Sequence, residues 1–380
     1  MPISNIGPVD LLIFQPTPFC NLDCKYCYLP DRSSKVRMDI NIIRQTLQNL
    51  VKENLLGDTL NLLWHAGEPT VMPLEFYESV SKLVSDIIPE KTKVLQQIQT
   101  NATLLNDEWC LFFKKVDMLV GVSLDGPQHI NDKNRVMRNG KGTFDQIMGG
   151  ISLLKKHNIE FSIISVITDY ALDFPDEIYN FFKELGASNV GFNMDEEEGI
   201  NTESSINKNS EPKLRSFWKR IFQLQTNLSY HLSVREIHEF NATLFNANLK
   251  VNDYQNMGQQ LHPLSILTID TEGNFSTFSP ELLGMKDDKY NNFHFGNVLK
   301  DTFSSINSNE IFKSVNQDII KGVKKCFDTC DYFSFCGGGA PSNKLYENGS
   351  FNTTETNFCK YSKKILVDSF LEEIEKELDN

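Results

Sequence analysis

No apolar run in these 380 residues approaches the roughly eighteen that a membrane-spanning helix needs, so no such segment is expected. Nowhere do Lys and Arg gather into a long basic block: 37 of them stand against 50 Asp and Glu, for a formal charge of -13. Nucleic-acid-binding surfaces are basic patches, so no nucleic-acid partner is expected. The opening MPISNIGPVD has neither the positive flank nor the long apolar core of a secretion signal. These absences give a cytoplasmic protein as the expectation. Cysteine is missing from residues 111 to 325. The eight that exist are concentrated instead: Cys20, Cys24 and Cys27 near one end, Cys326, Cys330, Cys336 and Cys359 near the other, and Cys110 between them. In a large chain without an export signal this distribution indicates two metal-ligand sets rather than disulfides. Cys110 falls in an amphipathic helical pattern and reads as a buried structural thiol.

From residue 9 to about 195, short apolar runs alternate with longer amphipathic stretches, the pattern of βα units around a parallel sheet. Six strands are predicted, at 11–14, 60–65, 94–100, 118–124, 161–168 and 190–194, with helices near 39–53, 74–88, 106–115, 143–157 and 175–185. The expected fold class is α/β: a partial (β/α)6 TIM-like barrel over 9–199, a helical bridge over 200–260, and a small cysteine-rich α+β domain with a C-terminal helix over 261–380. A Glu-rich, then Asn/Ser-rich stretch at 196–210 reads as the first boundary. The runs SILTID and NFSTF, joined by TEGN, read as a hairpin over 264–278.

Directly after the first strand, Phe19-Cys-Asn-Leu-Asp-Cys-Lys-Tyr-Cys-Tyr28 sets three thiols at C-x3-C-x2-C spacing. Three thiolates on one tight loop can hold three irons of a [4Fe-4S] cubane and leave the fourth iron open, whereas a structural zinc site wants four closed ligands. With Tyr26 before the third cysteine, this run resembles the signature of the radical S-adenosylmethionine superfamily. The resemblance implies that S-adenosylmethionine chelates the open iron of a cluster held by Cys20, Cys24 and Cys27. One electron then cleaves it to a 5'-deoxyadenosyl radical. Later motifs follow the family's order. Ala66-Gly67-Glu68-Pro69 resembles its Gly-Gly-Glu-Pro segment, with alanine for the first glycine, and by that likeness Gly67, Glu68 and Pro69 would receive the cofactor's ammonium. Gln99-Thr-Asn101 resembles a further cofactor element. Ser123-Leu-Asp-Gly resembles another, in which Ser123 would bind ribose, and Asp125 is placed with the catalytic groups. Arg135 sits where the peptide-modifying branch carries an arginine for the cofactor's carboxylate, and Phe192 and Asn193 sit where adenine contacts are usual. Each also has a plain reading: a solvated loop acid for Glu68, a surface arginine for Arg135, a buried strand end for Phe192.

The C-terminal set, Cys326-x3-Cys330-x5-Cys336 followed by Gly337-Gly-Gly-Ala340 and then Cys359, can ligate a complete iron-sulfur cluster. Zinc is the alternative on ligand count alone. This segment resembles the SPASM domain of peptide-modifying radical enzymes, where seven cysteines bind two auxiliary clusters. Here Ala340 replaces one of those cysteines and two upstream ones are missing, so the resemblance implies a single auxiliary [4Fe-4S] cluster.

The phrases FQPTPFCNLDCKYCYLPDRS, FNMDEEEG, NFSTFSPELLG and CGGGAPSNKLYENGSFNTTET resemble most the cyclophane-forming maturases of glycine-rich-repeat peptides. That likeness implies a ribosomal precursor peptide as substrate and a small electron donor such as flavodoxin or ferredoxin. It also implies a crosslink from an aromatic ring carbon to the β-carbon of a residue two positions on. Rearomatisation of the ring must lose an electron, for which the C-terminal cluster is the expected acceptor, and a proton, for which Glu281 is the candidate. A carboxylate that merely caps a loop reads the same as Glu281. Only about ten residues precede the first strand, so leader recognition is expected at a barrel edge or at the 264–278 hairpin, by strand addition. The alternatives are another radical peptide modification, namely thioether formation, epimerisation or formylglycine formation, and a non-catalytic iron-sulfur or zinc scaffold.

Overall fold

The computed structural model describes residues 6–226, 232–245 and 257–379. Parts of the expected helical bridge, at 227–231 and 246–256, lie outside the described residues. The first half alternates β1 (Val9–Phe14), α1 (Ile40–Lys52), β2 (Leu56–Trp64), α2 (Leu74–Ile87), β3 (Lys93–Thr100), α3 (Asp107–Lys115) and β4 (Leu119–Ser123). It continues through α4 (Gln128–Asn134), α5 (Phe144–Lys156), β5 (Phe161–Ile167), α6 (Pro175–Leu185) and β6 (Asn189–Met194). Then follow α7 (Glu211–Thr226), α8 (Arg235–Phe245), β7 (Ile266–Ile269), β8 (Asn274–Thr277), β9 (Gly296–Asn297), α9 (Glu310–Thr329), α10 (Phe333–Cys336), α11 (Pro341–Asn348) and α12 (Ile365–Leu378).

Local chemistry accounts for the helix ends. Asp39 caps α1 by accepting from the Asn41 amide. Asn106 caps α3, which then carries Asp107 and Glu108 in its first turn and Lys114 and Lys115 in its last, matching the helix dipole at both ends. Pro175 opens α6, and Gly186, with φ of 74°, closes it in the left-handed region. The helix α4 has no counterpart among the predicted elements; its seven residues are too few to show a helical period.

Among the described residues all nine strands form one sheet, in the order β6-β5-β4-β3-β2-β1-β7-β8-β9. The expected hairpin exists, but β7 also pairs in parallel with β1, matching Leu11 to Ile266 and Phe14 to Ile269. The cysteine-rich segment thus continues the barrel's sheet instead of building its own. All four residues of β7 are buried, the mark of a strand covered on both faces. At the opposite edge, the Val190 amide donates to the Ser233 carbonyl at 2.8 Å, and the Phe192 amide to both carboxylate oxygens of Glu236 at 3.2 Å. Those amides are therefore unavailable for strand addition at this barrel edge, a usual way of blunting an exposed edge. The hairpin side ends in the two-residue β9. No helix among the described residues is long and apolar enough to cross a membrane.

The core is continuous from barrel to C-terminal helix. Trp218 on α7 is 0 % exposed and meets Phe192 of β6, Phe217, and Phe370 of α12, with ring centroids 6.2, 5.4 and 5.9 Å away. Truncating Trp218 to Ala should cost about 3–5 kcal/mol of unfolding free energy. A denaturant titration followed by circular dichroism checks this, and a loss under 1 kcal/mol would show that α7 does not couple the two halves.

Candidate functional site

The loop after β1 carries Cys20, Cys24 and Cys27 and is held from three sides. The Arg138 guanidinium donates through Nε and Nη2 to the Cys20 carbonyl at 3.0 and 2.7 Å, and Arg32 donates to the Cys24 carbonyl at 3.3 Å. The Glu68 amide donates to the Phe19 carbonyl at 2.8 Å. Gly67 explains the closeness of that third contact. Its φ is +57°, and a Cβ built there would stand 2.5 Å from the carbonyl oxygens of both Thr17 and Phe19. Ala66, the residue that departs from the family's motif, also has a left-handed φ of 72°, which explains why glycine is usual there.

Glu68 is only 1 % exposed. Its Oε1 accepts from the Thr70 amide (2.9 Å), the Thr70 hydroxyl (2.5 Å) and the Thr100 hydroxyl (2.7 Å), and its Oε2 from the Asn101 amide (2.7 Å). The carboxylate expected to face a cofactor's ammonium is thus chiefly a clamp between the ends of β2 and β3. Burial raises its pKa and these four donors lower it. Pro69 starts the short turn that Glu68 caps. Asn101 gives its side-chain amide to Asn21 at 2.9 Å and to the Cys20 sulfur at 3.9 Å, so it sits against a ligand thiol.

Beside the same loop, Asp125 is buried and accepts from three donors: the Tyr26 hydroxyl at 2.5 Å, Arg135 Nε at 2.9 Å and the Val166 amide at 3.0 Å. Such a carboxylate braces its neighbours. Arg135 stacks over the Tyr26 ring at 5.6 Å, and its η nitrogens make no hydrogen bond to any described residue. They are the pair a carboxylate ligand would take. Ser123 accepts from Gln99 Nε2 at 2.8 Å. The Phe192 ring packs in the core against Phe182, Phe217 and Trp218, while the residue also borders the cavity described next. Asn193 lines the cavity described next and accepts from Arg235 at 2.7 Å.

Cys326, Cys330, Cys336 and Cys359 all border one cavity of about 620 Å³, together with Asn193, Glu196, Glu198 and Glu281. Cys326 and Cys330 close α9, Cys336 ends α10 ahead of the left-handed Gly337, and Cys359 begins a π-helical turn before α12. Lys344 of α11 reaches the Cys326 sulfur at 3.5 Å. Glu281 lies in the short turn after β8, and its Oε2 is buried with no hydrogen-bond partner among the described residues. Burial pushes its pKa up to about 7. Glu196 is pushed to about 8, first by burial and then by the charge of Glu281, against the lowering effect of its bond from Asn343. Glu198 moves well up for the same two causes. The Tyr28 hydroxyl, likewise buried and unpartnered, has Glu281, Glu198 and Cys27 as its charged neighbours. The Ile200 amide donates to the Tyr28 carbonyl at 3.0 Å, so the end of the first cysteine loop is tied to the acid-bearing loop after β6. Sequence reading named Glu281 but not Glu196, Glu198 or Tyr28. The acids of FNMDEEEG were the available signal.

The donor sets suit iron-sulfur clusters. Burial pushes the Cys20 thiol up to about 12 and Cys24 to about 11, so holding them as thiolates calls for a cationic metal centre. Among the described residues no three Cys, His, Asp or Glu side chains meet closely enough to hold one ion.

Residues 14–182 match the sequence profile of the Radical SAM superfamily. Over 382 residues, 99% of this chain and 94% of the relative, the chain is 42% identical to an uncharacterised protein of Synechocystis sp.. It is 35% identical over 190 residues to the serine-type anaerobic sulfatase-maturating enzyme of Bacteroides thetaiotaomicron, a match covering 49% of this chain and 46% of that enzyme. The solved structure of native anSMEcpe with bound AdoMet and Cp18Cys peptide superposes with a TM-score of 0.77 at 22% identity, covering 97% of this chain and 99% of that one. At that identity the likeness is one of fold.

Two predictions follow from the loop geometry and one from the acids. Gly67→Ala should abolish iron incorporation at the first loop, leaving only the iron held by the C-terminal set, read by iron and sulfide analysis after anaerobic reconstitution. Ala66→Gly should raise the thermal midpoint, relieving about 1 kcal/mol of left-handed strain; an unchanged or lower midpoint contradicts it. Glu281 and Glu196 have folded-state pKa values raised from 4.5 to about 7 and about 8. Their contribution to stability is complete below the unfolded value and is lost as pH rises through the folded ones. Stability should therefore fall between about pH 5 and 8, and Glu281→Gln or Glu196→Gln should flatten that slope in pH-dependent melting.

Proposed function

The chain belongs to the radical S-adenosylmethionine superfamily, and on that premise we propose that it is a peptide maturase forming an oxidative carbon-carbon crosslink in a ribosomal precursor peptide. The bond joins an aromatic ring carbon to the β-carbon of a residue two positions on. The observation that carries this reading is the cavity wall that unites Cys326, Cys330, Cys336 and Cys359 with the buried Glu281, Glu196 and Glu198. A ring that has gained a bond must shed one electron and one proton, and this wall offers an acceptor for each.

When bound, S-adenosylmethionine and its [4Fe-4S] cluster supply a 5'-deoxyadenosyl radical that abstracts hydrogen from an unactivated carbon. The chain's own residues do the rest. Cys20, Cys24 and Cys27 would hold the cluster; Tyr26 and Asp125 orient Arg135, whose η nitrogens would take the cofactor's carboxylate; Gly67 and Pro69 would shape the ammonium site, and Ser123 and Asn193 would serve the nucleoside. Glu281, whose Oε2 has no donor among the described residues, takes the ring proton, and its burial holds its pKa near neutrality so that it returns the proton between turnovers. The four C-terminal cysteines would hold an auxiliary cluster, which would supply an electron acceptor. A peptide substrate is supported by the peptide bound to anSMEcpe and by the maturase name of the Bacteroides relative.

That relative also motivates the second reading, oxidation of a serine to formylglycine. Both reactions remove two hydrogens, about 2 Da, so mass alone does not separate them. The test is anaerobic reconstitution with a Gly-rich precursor peptide, followed by tandem mass spectrometry and hydroxylamine trapping. A crosslink gives 5'-deoxyadenosine, a lighter peptide that resists fragmentation between the joined residues, and no trapped aldehyde. Trapping would favour formylglycine, and deoxyadenosine with an unaltered peptide would reject both for that substrate. Cys27→Ala should abolish deoxyadenosine. Cys359→Ala should instead retain uncoupled deoxyadenosine formation while losing the crosslinked product.

A further inference from the structure

On the proposed chemistry each turnover of the first site begins with one electron from outside, and exposed cations lie on the surface beside that site. Residues 134–138 run antiparallel against the first cysteine loop: the Asp23 amide donates to the Val136 carbonyl at 2.8 Å, the Lys25 amide to the Asn134 carbonyl at 3.0 Å, and Leu22 bridges Met137. Loop and ribbon together cover the three cysteines. On them lie Lys25, Arg32, Lys35, Arg37, Arg138 and Lys141, against two carboxylates, Asp23 and Asp31, in a chain whose formal charge is -13.

These cations are also uncompensated. Among the described residues only Arg32 has a carboxylate partner, Asp23 at 3.1 Å. Beside the other cysteine set, by contrast, Lys360, Lys363 and Lys364 are paired with Glu211, Glu239 and Glu355. Lys35 and Arg37 flank Val36, which is 50 % exposed, and Arg138 and Lys35 lie over the Phe19 ring at 5.2 and 5.9 Å. Arg138 is bonded to the carbonyl of Cys20 itself, so a protein seated here stands one side chain and one peptide group from a cluster ligand.

We propose that this ribbon is the docking face for a small, acidic one-electron carrier protein, which reduces the cluster held by Cys20, Cys24 and Cys27. The transfer is balanced as one electron lost by the carrier and one gained by the cluster, with no atom exchanged. Complementary charge would steer the carrier to this basic face and set its encounter rate. The proposal rests on the family assignment for the first cysteine loop and does not require the crosslinking chemistry.

The test uses the reconstituted holoenzyme and oxidised flavodoxin, an acidic flavin mononucleotide protein, with binding read by flavin fluorescence anisotropy. Lys35→Glu with Lys141→Glu should weaken binding roughly tenfold at low salt, and binding to the unaltered enzyme should weaken as salt shortens the screening length to about 10 Å at 0.1 M. The milder pair Lys35→Gln with Lys141→Gln should fall between, which guards against a charge-reversal pair that fails to fold. Deoxyadenosine formation driven by dithionite, which needs no docking face, should stay within about twofold of the unaltered enzyme for the Gln pair while flavodoxin-driven formation drops. Equal flavodoxin affinity in all three proteins overturns the proposal. So does intact flavodoxin binding with weakened binding of the precursor peptide, which would assign the face to the substrate's leader. A failure of the peptide reading is seen separately, as dithionite-driven deoxyadenosine without any change in the peptide.

Discussion

A buried carboxylate is tolerated only where donors replace the water it has lost, and much of this structure can be read as the working out of that requirement. Glu68 collects four donors and thereby locks the ends of β2 and β3 to the cysteine loop. Asp125 collects three and fixes Tyr26 and Arg135. Glu236 caps the outer strand by accepting from the Phe192 amide, and Asp195 orders the loop after β6 by accepting from the Ser205 amide at 2.8 Å. Satisfied acids are therefore the rivets of the barrel's open end. Glu281 is different: one of its oxygens is buried and has no donor among the described residues.

Arrangement of the two cysteine sets follows from the sheet. β1 is hydrogen-bonded on both edges, to β2 and to β7. The loop that leaves β1 carries the first set, and the turn that follows the β7–β8 hairpin carries Glu281 to the cavity lined by the second. One strand thus fixes the relation between two sites whose residues lie at opposite ends of the chain. The tie between Tyr28 and Ile200 and the bond from Asn343 to Glu196, 147 residues apart, complete that frame.

The barrel was legible because its signals are local. Strand β5 shows strict alternation of buried and part-exposed residues from Phe161 to Ile167, and helices with a cap and an apolar stripe were placed within a residue or two. The parallel partnership of β7 was not legible, since a strand's own residues say that it is buried and not which edge it joins. Cysteine spacing is also local, and the four C-terminal thiols that it groups do border one cavity. The contacts of Glu68 and Asp125 could not be read locally. Their residue types matched known motifs, but the carboxylates turned inward to donors such as Thr100 and Val166, which lie 32 and 41 residues further along the chain. The direction of the Phe192 ring was hidden for a related reason. A strand end looks the same in sequence whether its ring faces a ligand or, as here, Trp218.

The pairing of β1 with β7 also orders events during folding. Contacts that join residues 11–14 to 266–269 close a very long loop, and such contacts form late. Until they do, β1 presents an unpaired edge of Val9–Phe14, rich in buried apolar residues and adjacent to three reactive thiols. The nascent chain is consequently most exposed to edge-to-edge association and to oxidation at the same place and time, and both hazards end together when β7 seats.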